Sequence, residues 1–228
     1  MIIDCISDLH GFYPKLEGGD LLIVAGDLTA RDSYDELDYF ERWLKIQNYK
    51  SKIIIAGNHD GYIERNPDWL IGSEFIYLCD SSTNFSYFID GFPQEDEKFL
   101  PTGHRTLKIW GSPWTPTFCN WHFMLDRGAP IKAKWDLIPD DIDILITHGP
   151  PYSILDKVDI SSRGDKHKHA GCTDLMNRIP KLKNLKLHVF GHIHEGYGHE
   201  VINGTHFVNA SHVNEAYEPV NKPIRIEL

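Results

Sequence analysis

The chain has 228 residues, with 33 Asp and Glu against 23 Lys and Arg, which gives a formal net charge of −10. It is 41% hydrophobic and 25% charged, a composition that excludes a disordered, collagen-like or disulfide-scaffold protein. No apolar run approaches the roughly 18 residues of a transmembrane helix, so we expect no membrane partner. The acidic balance argues against long nucleic acid, which proteins usually grip with a basic face. An anionic substrate is compatible if local positive charge, such as bound metal ions, overcomes the overall field.

The N-terminus and the cysteines favour a cytoplasmic protein. The first residues carry no basic region and Asp4 interrupts the apolar run, which is unlike a signal peptide. The four cysteines are widely spaced, contain no CxxC pair and give no sign of an oxidising compartment. We expect reduced thiols at all four positions, which are Cys5, Cys79, Cys119 and Cys172.

In the first third of the chain, short apolar runs alternate with a helix-like segment. Three strands are predicted, and the last two have so few polar breaks that they are typical of strands covered on both faces. A helix is predicted over 33–47, where Ser33 can cap the first turn with Glu36 three residues on. A short helix over 62–70 is interrupted at Pro67. The three predicted strands are Ile2–Ile6, Leu21–Ala25 and Lys52–Ala56.

The middle of the chain has a different character. Three further strands are predicted at 75–78, 85–89 and 106–111, with turns at 81–82 and 90–91. Because no helix is evident between them, the pattern favours an antiparallel meander. The segment from 114 to 125 is rich in Trp, Phe and Pro and gives no assignment.

The α/β pattern then returns. Helices are predicted over 131–137 and 173–179, the second with Thr173 as a cap, and strands over 142–147, 186–190 and 224–226. Asn203-Gly204 between two apolar runs predicts a hairpin with a type I′ turn. The Gly, Lys and His loop at 158–171 is a candidate insertion. No linker is visible, so we expect one α/β domain, residues 1–228, with two packed sheets flanked by helices.

Polar side chains follow five of the predicted strands, at the point where each strand ends. In α/β sheets, ligands bind at the carboxyl ends of the strands, where the loops converge. These five segments are therefore expected to meet at one place. They are Asp8-Leu9-His10, Gly26-Asp27, Gly57-Asn58-His59-Asp60, His148-Gly149-Pro150 and Gly191-His192-Ile193-His194.

The donor types in these segments point to metal chemistry. Carboxylate and amide oxygens with imidazole nitrogens, and no thiolates, suit ions such as Mn, Fe or Zn. Seven such donors are too many for one site that keeps an open position, but they fill two adjacent sites that share a carboxylate. Two metals about 3.5–4 Å apart form the standard clamp for displacement at phosphorus. Glycines beside the donors permit sharp turns and close approach of the backbone.

The ordered set of motifs from Asp8 to His194 resembles the calcineurin-like metallophosphoesterases. The resemblance is closer to the metallophosphoesterase-domain-containing branch, which includes brain proteins of animals and bacterial relatives. The broader class also contains bacterial cyclic-nucleotide phosphodiesterases. The motifs that carry the closer resemblance are Gly-Ser-Pro-Trp-Thr-Pro at 111–116, Thr-His-Gly-Pro-Pro at 147–151, Gly171-Cys172 and Gly-His-Ile-His-Glu-Gly-Tyr-Gly at 191–198.

The resemblance implies a four-layer αββα sandwich of two mixed β-sheets flanked by helices. It also implies two metal ions, with Asp27 as the ligand that bridges them. His59 matches the family's outer-sphere histidine, which protonates the leaving oxygen or contacts the phosphate. The first metal would be held by Asp8, His10 and His194, and the second by Asn58, His148 and His192.

The function implied is hydrolysis of small phosphate esters by a metal-bridging hydroxide. We favour phosphodiesters, with 2′,3′- or 3′,5′-cyclic nucleotides among the candidates. Three alternatives stay open: a nuclease, a protein phosphatase, and a nucleotide-binding or scaffold module that has lost catalysis. The sequence does not identify the substrate, the native metal or the oligomeric state.

Two further groups of residues have competing interpretations. His167 and His169 lie in a basic run that is either a solvated loop or a loop that leans over the metals and meets substrate. The aromatic residues of the unassigned segment either pack in the core or form a wall on which a base stacks. His188 alternates within a predicted strand, so we expect it to be hydrogen-bonded or exposed.

Overall fold

The computed structural model describes residues 1–70, 74–88, 103–159 and 167–228. Two large sheets dominate this part of the chain, joined by four α-helices and by 3₁₀ turns at Pro67–Leu70, Ile179–Lys181 and His194–Gly196. The helices are α1 (Tyr34–Lys45), α2 (Gly61–Arg65), α3 (Ala129–Trp135) and α4 (Thr173–Arg178). The strands are β1 (Ile2–Ile6), β2 (Gly19–Ala25), β3 (Tyr49–Ile55), β4 (Ile76–Tyr77), β5 (Ser81–Phe88), β6 (His104–Ser112), β7 (Thr115–Pro116), β8 (Met124–Leu125), β9 (Ile144–Thr147), β10 (Lys157–Asp159), β11 (His167–His169), β12 (Leu187–Phe190), β13 (Gly198–Ile202), β14 (Thr205–Asn209) and β15 (Ile224–Glu227).

Both large sheets are mixed. The first has the order β15-β1-β2-β3-β4, in which only the edge strand β15 runs antiparallel to its neighbour. The second has the order β13-β14-β12-β9-β6-β5, with four parallel strands between two antiparallel edges. A parallel bridge between Ser7 and Ser211 joins the end of β1 to the end of β14. The carboxyl ends of the parallel strands in the two sheets therefore meet.

The apolar residues sort into three layers, which confirms the predicted αββα sandwich. The layer between the sheets takes one face of each, including Ile23 and Ile53 from the first sheet and Ile144 and Val189 from the second. The opposite face of the first sheet packs against α1, and the opposite face of the second packs against α3 and α4. Burial of alternate faces follows from the two-residue period of a strand.

Helix α1 begins where the sequence predicts. Ser33 accepts a hydrogen bond from the Glu36 backbone, and the Glu36 side chain accepts one from the Ser33 backbone, so the predicted capping box is present. The buried side chains of the helix are Leu37, Phe40, Trp43 and Leu44, at the spacing of one helical face.

The predicted antiparallel meander is correct for β5 and β6, which pair antiparallel, but wrong for the first of its three strands. β4 pairs in parallel with β3 in the first sheet, whereas β5 and β6 belong to the second sheet, and β6 runs parallel to β9. The predicted turn at 81–82 is also wrong, because those residues begin β5 and the bend lies before them at residues 79–80, where Asp80 has a φ of 50°. Runs of short strands without helices suggested local pairing, which β5 and β6 show, whereas β4 pairs with β3 in the other sheet. The predicted turn at 90–91 lies outside the described residues.

Other boundaries shift by a few residues. Helix α3 begins two residues before the predicted start, and the N-cap of α4 is Cys172, not Thr173. The loop predicted at 158–171 contains the hairpin of β10 and β11, and residues 160–166 within it lie outside the description. The Asn203-Gly204 turn joins β13 to β14 as predicted. No helix among the described residues is long and apolar enough to cross a membrane.

Candidate metal centre

The predicted metal ligands lie where the parallel strands end, on a backbone that is itself unusual. Asp8, His10, Asp27 and His192 all have φ between 44° and 69°, in the left-handed region that non-glycine residues rarely adopt. Such conformations cost energy and persist where surrounding contacts impose them, commonly at functional sites. Here the backbone N–H groups of Leu9 and His10 both donate to the Asp27 carbonyl, which ties the first two strand ends together.

The structure brings Asp8, His10 and His194 together as one group. Ligand atoms of these three residues all lie within 4.8 Å of one another. Nε2 of His194 is 3.3 Å from Oδ1 of Asp8. The Asp8 carboxylate is fully buried and accepts hydrogen bonds from the Ser211 hydroxyl (2.8 Å) and the His192 backbone N–H. These are the three residues predicted to hold the first metal.

Asp27 lies between this group and the next. One oxygen, Oδ2, is 3.6 Å from Nε2 of His10, and the other, Oδ1, is 3.3 Å from Nε2 of His148. Ligand atoms of Asp8, Asp27 and His148 also lie within 4.8 Å of one another. The two carboxylate oxygens of Asp27 thus face two different ligand groups, one that contains His10 and one that contains His148, as a bridging ligand requires.

The residues predicted for the second metal are also neighbours. Oδ1 of Asn58 is 2.9 Å from Nε2 of His148, and the ring centroids of His148 and His192 are 5.1 Å apart. Asn58 and His148 are buried, while His192 is half-buried. The structure therefore collects all seven predicted ligands at one place.

Backbone carbonyls orient two of the ligand imidazole rings. Nδ1 of His148 pairs with the Ala25 carbonyl at 2.9 Å, and Nδ1 of His194 pairs with the Asn214 carbonyl at 3.0 Å. A carbonyl accepts, so each Nδ1 carries the proton and each Nε2 faces the centre. Histidines that bind metals are commonly held by such a second hydrogen bond.

His10 tests whether the site fits a metal ion. It is 4% exposed, and neither Nδ1 nor Nε2 has a hydrogen-bond partner among the described residues. A buried polar group without a partner carries a large desolvation cost, so a native structure that contains one calls for an explanation. A metal ion at Nε2 would supply the partner, because the carboxylates of Asp8 and Asp27 lie within reach of the same point. The residues present fit the predicted pair of ions.

The two carboxylates are ionised despite their burial. Burial raises the pKa of Asp8, but the hydrogen bond and charge of His194 outweigh it and hold the pKa below its usual value. Burial likewise raises the pKa of Asp27, and the charge and hydrogen bond of His148 outweigh it. The centre therefore presents concentrated negative charge to a cation.

The imidazoles respond in opposite directions. Burial lowers the pKa of His192 to about 4, and burial also lowers the pKa of His10, so both are neutral near pH 7. Burial works in the same direction on His148, but the Asp27 carboxylate raises its pKa to about 9. Neutral imidazole is the form that binds metals, so His148 would release a proton on metal binding.

Two glycines permit the close packing of the donors. A Cβ at Gly191 would lie 2.0 Å from Oδ2 of Asp8, and a Cβ at Gly57 would lie 2.3 Å from Oδ1 of Asp27. Real Cβ atoms essentially never approach so closely, so a larger residue at either position would displace a carboxylate. This is the physical reason for the glycines that precede the ligands in the sequence.

His59, predicted as the residue that assists the leaving group, borders the centre. Its backbone N–H donates to Oδ1 of Asp27 at 2.8 Å, and its Nδ1 pairs with the Ala30 carbonyl at 3.1 Å. Its ring stacks on Trp121 with centroids 4.3 Å apart and contacts the His10 ring edge-on at 4.6 Å. The position suits a proton donor beside the metals, and its role stays a prediction.

Sequence reasoning missed three residues that support the centre. Asp60 is fully buried and accepts from the backbone of Leu28, Thr29 and Gly57, which ties the loop after β2 to the loop after β3. Ser211 holds Asp8, as described above. Tyr217, with a φ of 59°, contacts the rings of His10 (4.9 Å) and His194 (5.2 Å). Only Asp60 had a signal, since it completes the Gly-Asn-His-Asp motif.

A cavity of about 1090 Å³ opens beside the centre. Asp27, Asn58, His59, His192 and His194 line one end of it. The rest of the lining comes from residues within 116–127, 149–159, 168–173 and 193–217, and includes Phe118, Trp121, Arg127, Tyr152, Lys168 and His169.

Two mixed sheets that collect carboxylate, amide and imidazole donors at their strand ends define the class of protein. The sequence profile of the family described as Calcineurin-like phosphoesterase matches residues 1–196, and the chain belongs to this family. The predicted resemblance is thereby confirmed.

Individual relatives place the chain within the family. It is 40% identical over 236 residues to Metallophosphoesterase domain-containing protein 1 of Homo sapiens and of Mus musculus, which covers 98% of this chain and 70% of each relative. It is 34% identical over 242 residues to UPF0046 protein T07D4.2 of Caenorhabditis elegans, which covers 98% of this chain and 59% of the relative. It is also 38% identical over 203 residues to "Probable rhamnogalacturonate lyase C" of Emericella nidulans. That match covers 87% of this chain but 17% of the relative, so the relative's name carries nothing over to this chain.

Proposed function

We propose that this protein is a dinuclear-metal phosphodiesterase that acts on small substrates. The observation that carries the proposal is the convergence of the seven predicted ligands around His10, whose ring nitrogens have no protein partner in the described residues. Membership of the phosphoesterase family supports the reaction class. The metals we propose are Mn, Fe or Zn, which suit oxygen and imidazole donors.

The seven ligands would divide between two sites. Asp8, His10 and His194 would hold one ion, Asn58, His148 and His192 would hold the other, and Asp27 would contact both. When bound, such ions lower the pKa of water and neutralise charge on phosphate oxygens. The carbonyls of Ala25 and Asn214 fix the ligand rings of His148 and His194 in advance, so the site needs little rearrangement.

His59 would move the proton that the leaving group requires. Its Nδ1 is engaged with the Ala30 carbonyl, so Nε2 is the atom that would meet the substrate. Stacking on Trp121 and the hydrogen bond from its backbone to Asp27 keep the ring beside the ligands. A group held at this position can protonate the leaving oxygen or contact the phosphate.

The size and lining of the cavity favour a diester with an organic substituent. At about 1090 Å³ the cavity is far larger than a phosphate group and slightly exceeds the usual upper limit of small-molecule sites, roughly 1,000 Å³. The exposed rings of Phe118, Trp121 and Tyr152 offer apolar contact area for such a substituent. Nucleotides, including cyclic ones, have the required size and planar ring.

Two further proposals accompany this function. All four cysteines are unpaired, which agrees with a reducing compartment and supports a cytoplasmic location. The shared apolar layer between the sheets supports one domain over residues 1–228. Cell fractionation and a single cooperative unfolding transition would test these two points.

The deciding experiment measures metal content together with hydrolysis of bis-p-nitrophenyl and mono-p-nitrophenyl phosphate, with and without added Mn. We expect about two metal ions per chain and Mn-stimulated turnover that prefers the diester. A panel of cyclic nucleotides would follow. No stoichiometric metal after reconstitution would contradict the ligand assignment.

Two metals without turnover of any ester would favour the binding or scaffold module. Steeply salt-dependent binding of an oligonucleotide would favour a nuclease, and phosphopeptide turnover far above that of diesters would favour a protein phosphatase.

A further inference from the structure

The cavity continues away from the metal centre along the segment that follows His148. Residues 150–152 run beside residues 170–172, where the Cys172 N–H donates to the Pro150 carbonyl (2.9 Å) and the Tyr152 N–H donates to the Cys172 carbonyl (3.1 Å). The base of the β10–β11 hairpin thus forms a wall of the cavity.

A buried carboxylate organises this wall. Asp156 is 0% exposed, and its oxygens accept from the backbone of Ser153 (2.9 Å) and Gly171 (3.0 Å) and from Nδ1 of His169 (2.6 Å). The Ala170 N–H also donates to the Asp156 carbonyl at 3.0 Å. A carboxylate with this many donors fixes the direction of each of them.

The same segment is held from its other side. Nη1 and Nη2 of Arg127 donate to the carbonyls of Gly171 (2.8 Å) and Ala170 (2.7 Å). Asp156 and Arg127 therefore hold the backbone of the two residues that follow His169, Ala170 and Gly171. The alternative interpretation of the basic run, a solvated surface loop, does not require the contacts with Asp156 and Arg127.

The pairing with Asp156 decides which atom of His169 meets a ligand. Nδ1 donates to the carboxylate, so a molecule in the cavity would meet the ring at Nε2. About a third of the His169 side chain is exposed, and its ring lies 5.2 Å from that of Tyr152, which also lines the cavity. A carboxylate behind an imidazole sets its tautomer and orientation, as in many sites where histidine contacts a substrate.

We propose that His169 is a substrate-contacting residue, and that its Nε2 binds a polar group of the organic substituent of the phosphodiester. The proposal rests on the proposed function. The phosphoryl group belongs beside Asp27, Asn58 and His59, which line the same cavity. His169 therefore contacts the organic substituent of the substrate. It favours a substituent of nucleoside size that carries hydroxyl or carbonyl groups.

Two substitutions separate the two nitrogens of His169. His169→Asn keeps an amide nitrogen near the Nδ1 position, so the bond to Asp156 survives while the cavity-facing atom is lost. His169→Gln keeps an amide nitrogen near the Nε2 position and gives up the bond to Asp156. His199→Asn, on exposed β13 away from the cavity lining, is the matched control.

The substrates are thymidine 5′-(p-nitrophenyl phosphate) and methyl p-nitrophenyl phosphate, which share a leaving group and differ in the other substituent. We expect His169→Asn to lower kcat/KM for the thymidine ester about tenfold, the effect of one lost hydrogen bond. The methyl ester should change less than about twofold, because a methyl group offers His169 no partner. Metal content should match the wild type, and His169→Gln should retain more of the preference for the thymidine ester.

A purely structural role predicts the reverse pattern. His169→Asn would then behave as wild type on both esters, while His169→Gln would lose stability and activity on both alike. That result would overturn the proposal.

Calorimetry separates failure of this proposal from failure of the proposed function. If the wild type hydrolyses neither ester, the proposed function fails, and binding of thymidine 5′-phosphate and inorganic phosphate to the metal-loaded protein becomes the test. We then expect His169→Asn to bind thymidine 5′-phosphate about tenfold more weakly and inorganic phosphate unchanged. Equal affinities in the two proteins, or no binding by the wild type, would overturn the proposal.

Discussion

The floor and the far wall of the cavity are built in different ways. The floor, which holds the seven predicted ligands, consists of strand ends whose positions are fixed by long parallel pairing within two sheets. The wall consists of short strands and loops that are held by single side chains, chiefly Arg127 and Asp156. The floor therefore fixes where the phosphoryl group would bind, and the wall would determine which organic substituent of the substrate is accepted.

The largest effect expected from breaking the floor is at Asp27, because its two oxygens face both groups of ligands. Asp27→Ala should remove most bound metal and lower kcat for the diester by about 10³-fold or more, since both sites lose a ligand. Metal analysis and the p-nitrophenyl ester assay measure the two effects. Asp38→Ala on exposed α1 is the control, and circular dichroism checks that the fold survives. Activity retained by Asp27→Ala would rule out a shared carboxylate.

Gly191→Ala tests the close packing of the floor without removing a ligand. The added Cβ would lie 2.0 Å from Oδ2 of Asp8, so the carboxylate must move. We expect about a 100-fold loss of activity. Substitution of a residue that supports a metal ligand commonly lowers metal affinity or activity by about 10–100-fold, and this substitution displaces a ligand directly.

Gly149→Ala is the comparison for that experiment, because Gly149 also adjoins a ligand. Its added Cβ would lie 3.0 Å from the Thr115 side chain and in ordinary contact, 3.9 Å, with Cδ2 of His192, so a smaller loss of about tenfold or less is expected. Equal losses in the two variants would show that the Asp8 contact is not what Gly191 protects.

The wall should respond in specificity rather than in metal binding. Arg127→Met removes two hydrogen bonds to the carbonyls of Ala170 and Gly171 on an exposed surface, so we expect a stability loss of about 1 kcal/mol. The hairpin base would loosen, and kcat/KM for the thymidine ester should fall several-fold while metal content stays constant. Thermal unfolding, metal analysis and the two-ester assay measure these effects together. Loss of metal in this variant would show that the structure of the wall and metal binding at the floor depend on each other.

The same division explains how far the sequence predicts the site. Each ligand lies within about four residues of the end of a predicted strand, so the strand-end rule brings the five segments together without any knowledge of side-chain contacts, and the resemblance then selects the seven ligands among them. Asp156 and His169 are thirteen residues apart and lie on a hairpin that no periodicity marks, so their pairing was invisible. The same limit applies to β4, because short strands in sequence order do not reveal which sheet they join. Ser211 and Tyr217 gave no signal, because their contacts with Asp8 and His10 span almost the whole chain.

Substitution of His188, which lies behind the floor, is expected to leave activity unchanged. It should alter how the stability of the native protein changes at acid pH. His188 is fully buried in β12, and the sequence left open whether it would be hydrogen-bonded or exposed. Thr147 donates its hydroxyl proton to the Gly149 carbonyl, so Nε2–H of His188 donates to the Thr147 oxygen (2.8 Å), and Nδ1 has no partner among the described residues. Burial lowers the pKa of His188 to about 3.

The sign of the pH dependence follows from that pKa. Between about pH 6.5 and 3 the unfolded chain binds a proton at His188 that the native chain does not, so native stability falls as the pH falls. The contribution from this residue approaches about 1.4 kcal/mol per pH unit below 6.5 and is absent above it. His188→Leu should therefore lose less stability than the wild type between pH 6.5 and 5.5, by roughly 1 kcal/mol. Urea unfolding of both proteins in EDTA at the two pH values measures the difference, and other titrating groups cancel because both chains share them. Equal losses in the two proteins would mean that His188 is protonated in the native state, contrary to its burial beside Phe190 and Phe207.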